Sequence, residues 1–328
     1  MPNIMLTYRC NLSCEYCFAN EFVNEDNINI SFENYIKAKE FILSSGDAHI
    51  GLIGGEPTIY PDFDRILKDL KKDNRVVAVT IYTNGLEIDK FIDALDDEKF
   101  NVLVNCNSET NVGRRYSDLE RNVQLLYKLV NAKKRITLGV NLYSNEMDYN
   151  YIIELAKKND VHRLRMSLTV PNLACKRNID ALEYFRSRKD FLLDFLKKCD
   201  AEMIVPYFDC NIMPYCIWTD EEYNWLDAYL KKYQVRRTNL LGKECTCKPV
   251  IDILPNLQCV RCFGLSEITK TSIVEFREIK DLYEYYEKKY DALVYHKCEN
   301  ASCADCYEKK VGKCYAGCLA FYENKLKD

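Results

Sequence analysis

The chain has 328 residues, 48% of them hydrophobic, a formal charge of -4 and 17 cysteines. That length can bury a large core in one big domain or two, and the near-neutral balance excludes a global basic field that would gather nucleic acid. No apolar run approaches the roughly 20 residues of a membrane-crossing helix, and the start MPNIMLTYRC lacks the pattern of a signal peptide, so the expected location is cytoplasmic. An odd cysteine count without an export signal argues against a disulfide framework and for metal ligation.

Ile4 to Leu6 is apolar and predicts the first strand. The loop that leaves it, Thr7 to Phe18, reads TYRCNLSCEYCF and carries Cys10, Cys14 and Cys17 with three and then two residues between them. Three thiolates this close suit an iron-sulfur cluster that keeps one iron free of protein ligands, the open position that catalytic metal sites need. A structural zinc knuckle is the plain alternative. Zinc usually takes four nitrogen or sulfur ligands, yet His49, His162 and His296 all lie far along the chain.

Strands and helices then alternate. Ser31 caps a helix to about Ser45, His49 to Ile53 is a strand running into Gly54-Gly55-Glu56-Pro57, and Phe63, Ile66, Leu67 and Leu70 mark one face of an amphipathic helix. Val76 to Tyr82 is the third strand and ends in Thr83-Asn84-Gly85. A short helix near Ile88 to Leu95 precedes strand Val102 to Cys106, and a capping box over Ser117 to Glu120 opens the next helix. Strand Ile136 to Leu142, helix Tyr149 to Lys158 and strand Leu164 to Val170 complete six strands. Strands joined by helices run parallel, and their apolar character calls for helices on top of them. Ile179 to Asp200 reads as a long closing helix, Val205 to Trp218 as irregular and extended, and Thr219 to Glu222 as a second capping box opening a helix to about Tyr233. The composition turns cysteine-rich near Leu240. The expected domains are therefore residues 1–200, a bridging segment 201–240, and a cysteine-rich region 241–328.

Glycines at 54 and 55 allow backbone to approach a ligand with no Cβ between, and Pro57 stiffens the exit. Thr83, Asn84, Asn105, Asn107, Asn141, Ser167 and Thr169 are hydrogen-bonding groups at strand ends, and Arg165 is a charge within a strand, where lack of a partner is costly. No general acid or base can be named from sequence; Tyr82, Asp209 and Glu56 are the titratable groups near these ends. Farther on, residues 244–263 read ECTCKPVIDILPNLQCVRCF and residues 298–318 read CENASCADCYEKKVGKCYAGC. Taken alone, that set suits zinc or iron and sulfide alike. Cys106, Cys175 and Cys199 read as buried thiols, whereas Cys210 and Cys216 stay open between ligands, substrate-handling thiols and buried residues.

The three-cysteine loop, with Tyr16 and Phe18 on either side of Cys17, and the GGEP one strand later resemble the radical S-adenosylmethionine (SAM) enzymes. The resemblance implies an α/β fold, a partial (β/α)6 barrel of the TIM type, with a [4Fe-4S] cluster on Cys10, Cys14 and Cys17 and SAM on its open iron. It implies reductive cleavage of SAM to a 5'-deoxyadenosyl radical that abstracts hydrogen from a substrate. Gly54, Gly55 and Glu56 would meet the amino group of SAM, and Thr83, Asn84, Asn105, Asn107, Asn141, Ser167 or Thr169 its ribose, carboxylate or adenine, with Arg165 a candidate for the carboxylate. All three motifs then share the rim at the carboxyl ends of the strands, where such barrels hold their sites.

The carboxyl-terminal cysteines resemble the SPASM extension, or its shorter twitch relative, which holds one or two auxiliary [4Fe-4S] clusters. Cys247, Cys262, Cys303, Cys306, Cys314 and Cys318 match its pattern, and two clusters are expected rather than one. Leu257 stands where the family has a turn glycine, the gap before Cys314 is long, and no cysteine follows Cys318, so Cys245, Cys259 or Cys298 would supply the missing ligand. That extension goes mostly with peptide or protein substrates, which implies maturation of a ribosomally made peptide by a crosslink, thioether, epimerisation or oxidation. Sulfatase-maturase-like oxidation of a protein Cys or Ser, action on a small molecule, and a non-catalytic iron-sulfur carrier are the alternatives. The implied partners are the peptide and a low-potential donor such as flavodoxin or ferredoxin; since strand one opens at residue 4, a leader peptide is expected to dock on this core or on a separate leader-peptide-binding protein, and neither nucleic acid nor membrane is expected.

Overall fold

The computed structural model describes residues 1–23, 28–46, 48–129, 135–169, 179–208, 212–235, 240–241, 247–292, 301–314 and 316–321. Seven strands, β1 (Asn3–Met5), β2 (His49–Ile53), β3 (Ala78–Thr83), β4 (Phe100–Asn105), β5 (Ile136–Leu142), β6 (Arg163–Leu168) and β7 (Val205–Phe208), lie side by side in chain order. Each neighbouring pair is parallel. Between them run α1 (Phe32–Leu43), α2 (Phe63–Lys72), α3 (Tyr116–Lys128), α4 (Asn150–Lys158) and α5 (Ala181–Ala201). This is a partial barrel: a parallel sheet wound in one direction, with the helices outside it.

Burial explains the winding. Along β3, Val79 and Ile81 are fully buried beneath the helices, whereas Thr80 and Tyr82 are half-buried on the other face. The strands are thus apolar on the convex side and mixed on the concave side, more alternating than a fully covered parallel sheet would be. Phe63, Ile66, Leu67 and Leu70 of α2 are all buried, as their spacing predicts. Ser31 caps α1, its hydroxyl accepting from Asn34 N at 3.1 Å. Cys106 and Cys199 are buried thiols, as expected; Cys175 lies outside the described residues.

Two local expectations are corrected. The segment after residue 205 is not irregular at its start: Val205–Phe208 pairs in parallel with β6 and makes a seventh barrel strand. Pro206 fits there because the strand is the last of the parallel run, where a missing N–H is tolerated. The capping box at Ser117 does not form. The chain enters α3 already helical, through Glu109–Val112 and Gly113–Arg115, so Ser117 falls inside the first turn and Arg115 stands at the cap. The box at Thr219 does form at the start of α6 (Asp220–Lys232): Glu222 N donates to Thr219 Oγ1 at 3.2 Å and Thr219 N to Glu222 Oε2 at 2.8 Å.

On the other edge of the sheet, β8 (Asp252–Ile253) pairs in parallel with β1, and β9 (Gln258–Val260) and β10 (Thr271–Ser272) follow antiparallel. Backbone pairing therefore runs unbroken from the barrel into the cysteine-rich region. Asn3 Nδ2 donates to Asp252 Oδ1 at 2.6 Å across this seam. In the turn between β8 and β9, Leu257 adopts φ +67°, the left-handed conformation a glycine would take freely, and buries its side chain in the core instead. Cys259 on β9 is fully buried beside the hydroxyl of Tyr286, on α7 (Ile279–Tyr286).

Candidate active site at the barrel rim

The loop after β1 presents Cys10, Cys14 and Cys17, all half-buried. It is shaped by its own backbone: Cys17 N donates to Cys14 O at 3.1 Å and Leu12 N to Cys10 Sγ at 3.4 Å. Burial pushes the Cys10 thiol up to about 12, with the Leu12 N–H opposing and Glu56 adding to the rise. Burial likewise raises Cys14 and Cys17. Thiolate ligation at this loop would therefore release protons.

The Gly54-Gly55-Glu56 backbone is laid directly against that loop. Gly55 N donates to Thr7 O and Glu56 N to Arg9 O, both at 2.8 Å. A Cβ on Gly55 would sit 2.2 Å from Arg9 O and 2.9 Å from Cys10 Cβ, so glycine is required for this approach. Glu56 is fully buried and its carboxylate is engaged by the chain itself. Oε1 accepts from Thr58 N, Thr58 Oγ1 and Thr83 Oγ1 at 3.1, 2.6 and 2.7 Å, and Oε2 accepts from Asn84 N at 2.7 Å. Burial raises its pKa while these donors oppose the rise. Asn84 continues the network, donating from Nδ2 to Asn11 Oδ1 at 2.7 Å. Glu56, Thr83 and Asn84 thus tie the ends of β2 and β3 to the cysteine loop.

On the strands beyond, Asn141 Oδ1 accepts from Arg165 Nη1 and Ser167 Oγ, both at 2.8 Å. Asn105 Oδ1 and Thr169 Oγ1 are buried without a hydrogen-bond partner among the described residues. Asn107 accepts from the Tyr16 hydroxyl, and Tyr16 stacks on Tyr143 with ring centroids 4.4 Å apart. Sequence reasoning passed over Tyr143 and Asn11, since neither carries a motif; only their place at strand or loop ends hints at them. The concave face also holds a cavity of about 250 Å³ lined by Thr80, Tyr82, Asn101, Arg135, Thr137 and Tyr207 among others. Thr80, Asn101, Arg135 and Thr137 lie in the middle or at the amino-terminal parts of their strands, whereas Tyr82 directly precedes Thr83 at the carboxyl end of β3. Asp209 lies outside the described residues.

In the carboxyl-terminal region the thiols fall into separate groups. Cys247 and Cys262 flank the fully buried Arg261, whose Nη1 lies 3.5 Å and 3.8 Å from their sulfurs, while its other nitrogens donate to Asp291. Cys303, Cys306, Cys314 and Cys216 line one cavity of about 240 Å³. Cys318 is buried; Cys210, Cys245 and Cys298 lie outside the described residues. Phe263, next to Cys262, meets Phe18, next to Cys17, with centroids 5.0 Å apart, so the two cysteine regions share an aromatic contact. Among the described residues, no three His, Cys, Asp or Glu side chains close on a point as a bare ion requires; the soft thiols of Cys216, Cys303, Cys306 and Cys314 around their cavity suit an iron-sulfur cluster.

Residues 4–140, the part of this parallel partial barrel that carries the three-cysteine loop after its first strand, match the family described as the radical SAM superfamily. That family implies a [4Fe-4S] cluster and SAM. Among curated relatives, molybdenum cofactor biosynthesis protein 1 of Dictyostelium discoideum is 26% identical over 169 residues, covering 48% of this chain and 27% of that protein. GTP 3',8-cyclase of Clostridium perfringens strain 13 is 25% identical over 180 residues, covering 54% of this chain and 52% of that protein. The chain thus spans between about a quarter and a half of the length of these two relatives. Among solved structures, Streptococcus suis SuiB bound to S-adenosylmethionine has a TM-score of 0.60 at 17% identity, covering 96% of this chain and 72% of SuiB. SuiB bound to its precursor peptide SuiA has a TM-score of 0.61 at 17% identity, covering 96% and 71%. The likeness to SuiB is one of fold. No described helix is long and apolar enough to cross a membrane.

Proposed function

We propose that this chain is a peptide-modifying radical SAM enzyme whose carboxyl-terminal region is a SPASM-type extension with two auxiliary [4Fe-4S] clusters. The observation that carries this reading is the pair of separate thiol groups beyond the barrel, one around Arg261 and one around the cavity at Cys303. When bound at the rim, the cluster and SAM supply a strong one-electron oxidant of C–H bonds, the 5'-deoxyadenosyl radical. The chain supplies everything around it. Cys10, Cys14 and Cys17 would hold the cluster, and the glycines at 54 and 55 let the end of β2 pack directly on the loop that carries them. Glu56 acts on this site by fixing the Asn84 turn, and its buried, fully engaged carboxylate makes it a positioning group here. Asn105 Oδ1, near the end of β4, is an acceptor with no partner among the described residues and is offered to a donor entering the site. Arg165 and Ser167, oriented by Asn141, offer the polar wall opposite. The clusters' need for reduced thiols fits a cytoplasmic, anaerobic setting, with a flavodoxin or ferredoxin as donor.

A second reading, action on a small molecule, is favoured by the names of the sequence relatives, which include GTP 3',8-cyclases. One experiment separates the two. The anaerobically reconstituted full chain is given SAM and dithionite with either GTP or synthetic peptides encoded beside its gene, and products are read by mass spectrometry. A peptide product with deoxyadenosine formed in proportion supports the proposal; a cyclised nucleotide overturns it.

A further inference from the structure

The sequence pattern leaves one auxiliary ligand set a thiol short, and we infer that Cys216 fills it: with Cys303, Cys306 and Cys314 it forms the four-thiolate site of one auxiliary [4Fe-4S] cluster. This inference rests on the auxiliary-cluster reading above and assigns a ligand to it from outside the cysteine-rich region.

Three observations converge on Cys216. First, the cavity of about 240 Å³ is lined by these four cysteines together, and by Ala316 but not by Cys318. The carboxyl-terminal block thus sends three of its thiols into the cavity. Second, Cys216 sits in the short turn Tyr215–Ile217 that follows β7, and its side chain is exposed while its neighbours Ile217 and Trp218 are buried. An apolar packing role would bury the cysteine and not leave it out. Trp218 Nε1 donates to Leu240 O at 3.1 Å, which pins the turn from behind. Third, this turn is pressed onto the cysteine block by backbone approach. Gly317, at φ +98°, lies between Cys314 and Cys318, and a Cβ there would stand 3.0 Å from Pro214 Cγ and 3.2 Å from Ile212 O. The residues leading into Cys216 are therefore packed on the residues between two block cysteines.

A four-iron cluster is fully ligated by four thiolates, and the cavity offers four from two distant parts of the chain. Cys318 is then released to the other group, with Cys247 and Cys262. The arrangement also ties the end of the barrel to the cysteine-rich region through a metal site, so the two would be stabilised together when the cluster is present.

The test is anaerobic reconstitution of the full chain as wild type, Cys216→Ala, Cys216→Ser and Cys306→Ala, with iron, sulfide and zinc counted and the reduced clusters read by electron paramagnetic resonance and Mössbauer spectroscopy. The expected result is that Cys306→Ala and Cys216→Ala alter the same cluster, each with up to about four irons lost or a three-iron signal gained. Cys216→Ser, which keeps an oxygen ligand, should retain the irons with an altered spectrum. Circular dichroism matching wild type shows that the variants fold. If Cys306→Ala perturbs a cluster while both Cys216 variants give the wild-type spectrum, Cys216 is not a ligand, though the auxiliary reading stands. If Cys306→Ala also changes nothing, or zinc replaces iron, the auxiliary reading falls and this inference with it.

Discussion

The two cysteine regions are built on opposite plans. At the barrel rim, three thiols arrive on one loop of a few residues, and the work of the fold is to lay the Gly54–Gly55 backbone against that loop. In the carboxyl-terminal region the thiols arrive from separated stretches, and the work of the fold is to bring them together, through β8 on β1, Arg261 between Cys247 and Cys262, and the turn at Cys216. A local site can be read in sequence; an assembled one cannot.

The sharpest contrast should come from single cysteines. Cys14→Ala is expected to reduce deoxyadenosine formation from SAM to background, whereas Cys306→Ala should lose or alter an auxiliary cluster and still cleave SAM; chromatography of the reaction mixture measures both. Equal loss in the two variants would break the distinction between the regions.

The seam between them gives the next effect. Burial pushes the Asp252 carboxyl up to about 7, with the Asn3 amide opposing. A folded-state pKa above the unfolded value means the folded chain holds the proton more tightly, so stability is greatest below about pH 4 for this group and is lost as pH rises through 7. The loss is at most roughly 4 kcal/mol. Asp252→Asn removes the titration, and its amide can donate to Asn3 Oδ1, which is buried without a partner among the described residues. Urea unfolding at pH 5 and pH 8 should show a smaller difference in the variant than in wild type.

Gly55→Ala tests the rim itself. With Arg9 O only 2.2 Å from the added methyl, the loop must move, and a loss of about 2–3 kcal/mol with weakened SAM binding is expected from thermal melts and equilibrium dialysis. Glu56→Gln should cost less, about 1–2 kcal/mol, because one carboxylate acceptor is replaced by an amide donor facing donors already in place. A variant that retains stability and loses only SAM affinity would instead give Glu56 a direct role toward the cofactor.

Much of the barrel was legible because each unit obeys a local rule. Phe63 to Leu70 repeats at helical spacing, Ile136 to Leu142 is a strand with the bounds its apolar run predicts, and Thr219 and Glu222 form the box their types suggest. What escaped was set by pairing and context. Val205–Phe208 became a strand because β6 offered an open edge. Ser117 lost its cap because the preceding residues were already helical. Leu257 took a left-handed turn because its side chain gains burial there. At the site, cysteines and glycines were visible as types and spacings, but the engagement of the Glu56 carboxylate, the Asn105 oxygen that has no partner among the described residues, and the grouping of Cys216 with the block depend on contacts across long stretches of sequence.

The most direct test of the central claim is the yield of 5'-deoxyadenosine from SAM and dithionite by the anaerobically reconstituted chain, in wild type and in Cys14→Ala. The account predicts product in the wild type and none above background in the variant. A wild type that binds iron yet cleaves no SAM, even with candidate peptides and GTP present, or a variant that cleaves it equally well, would contradict it.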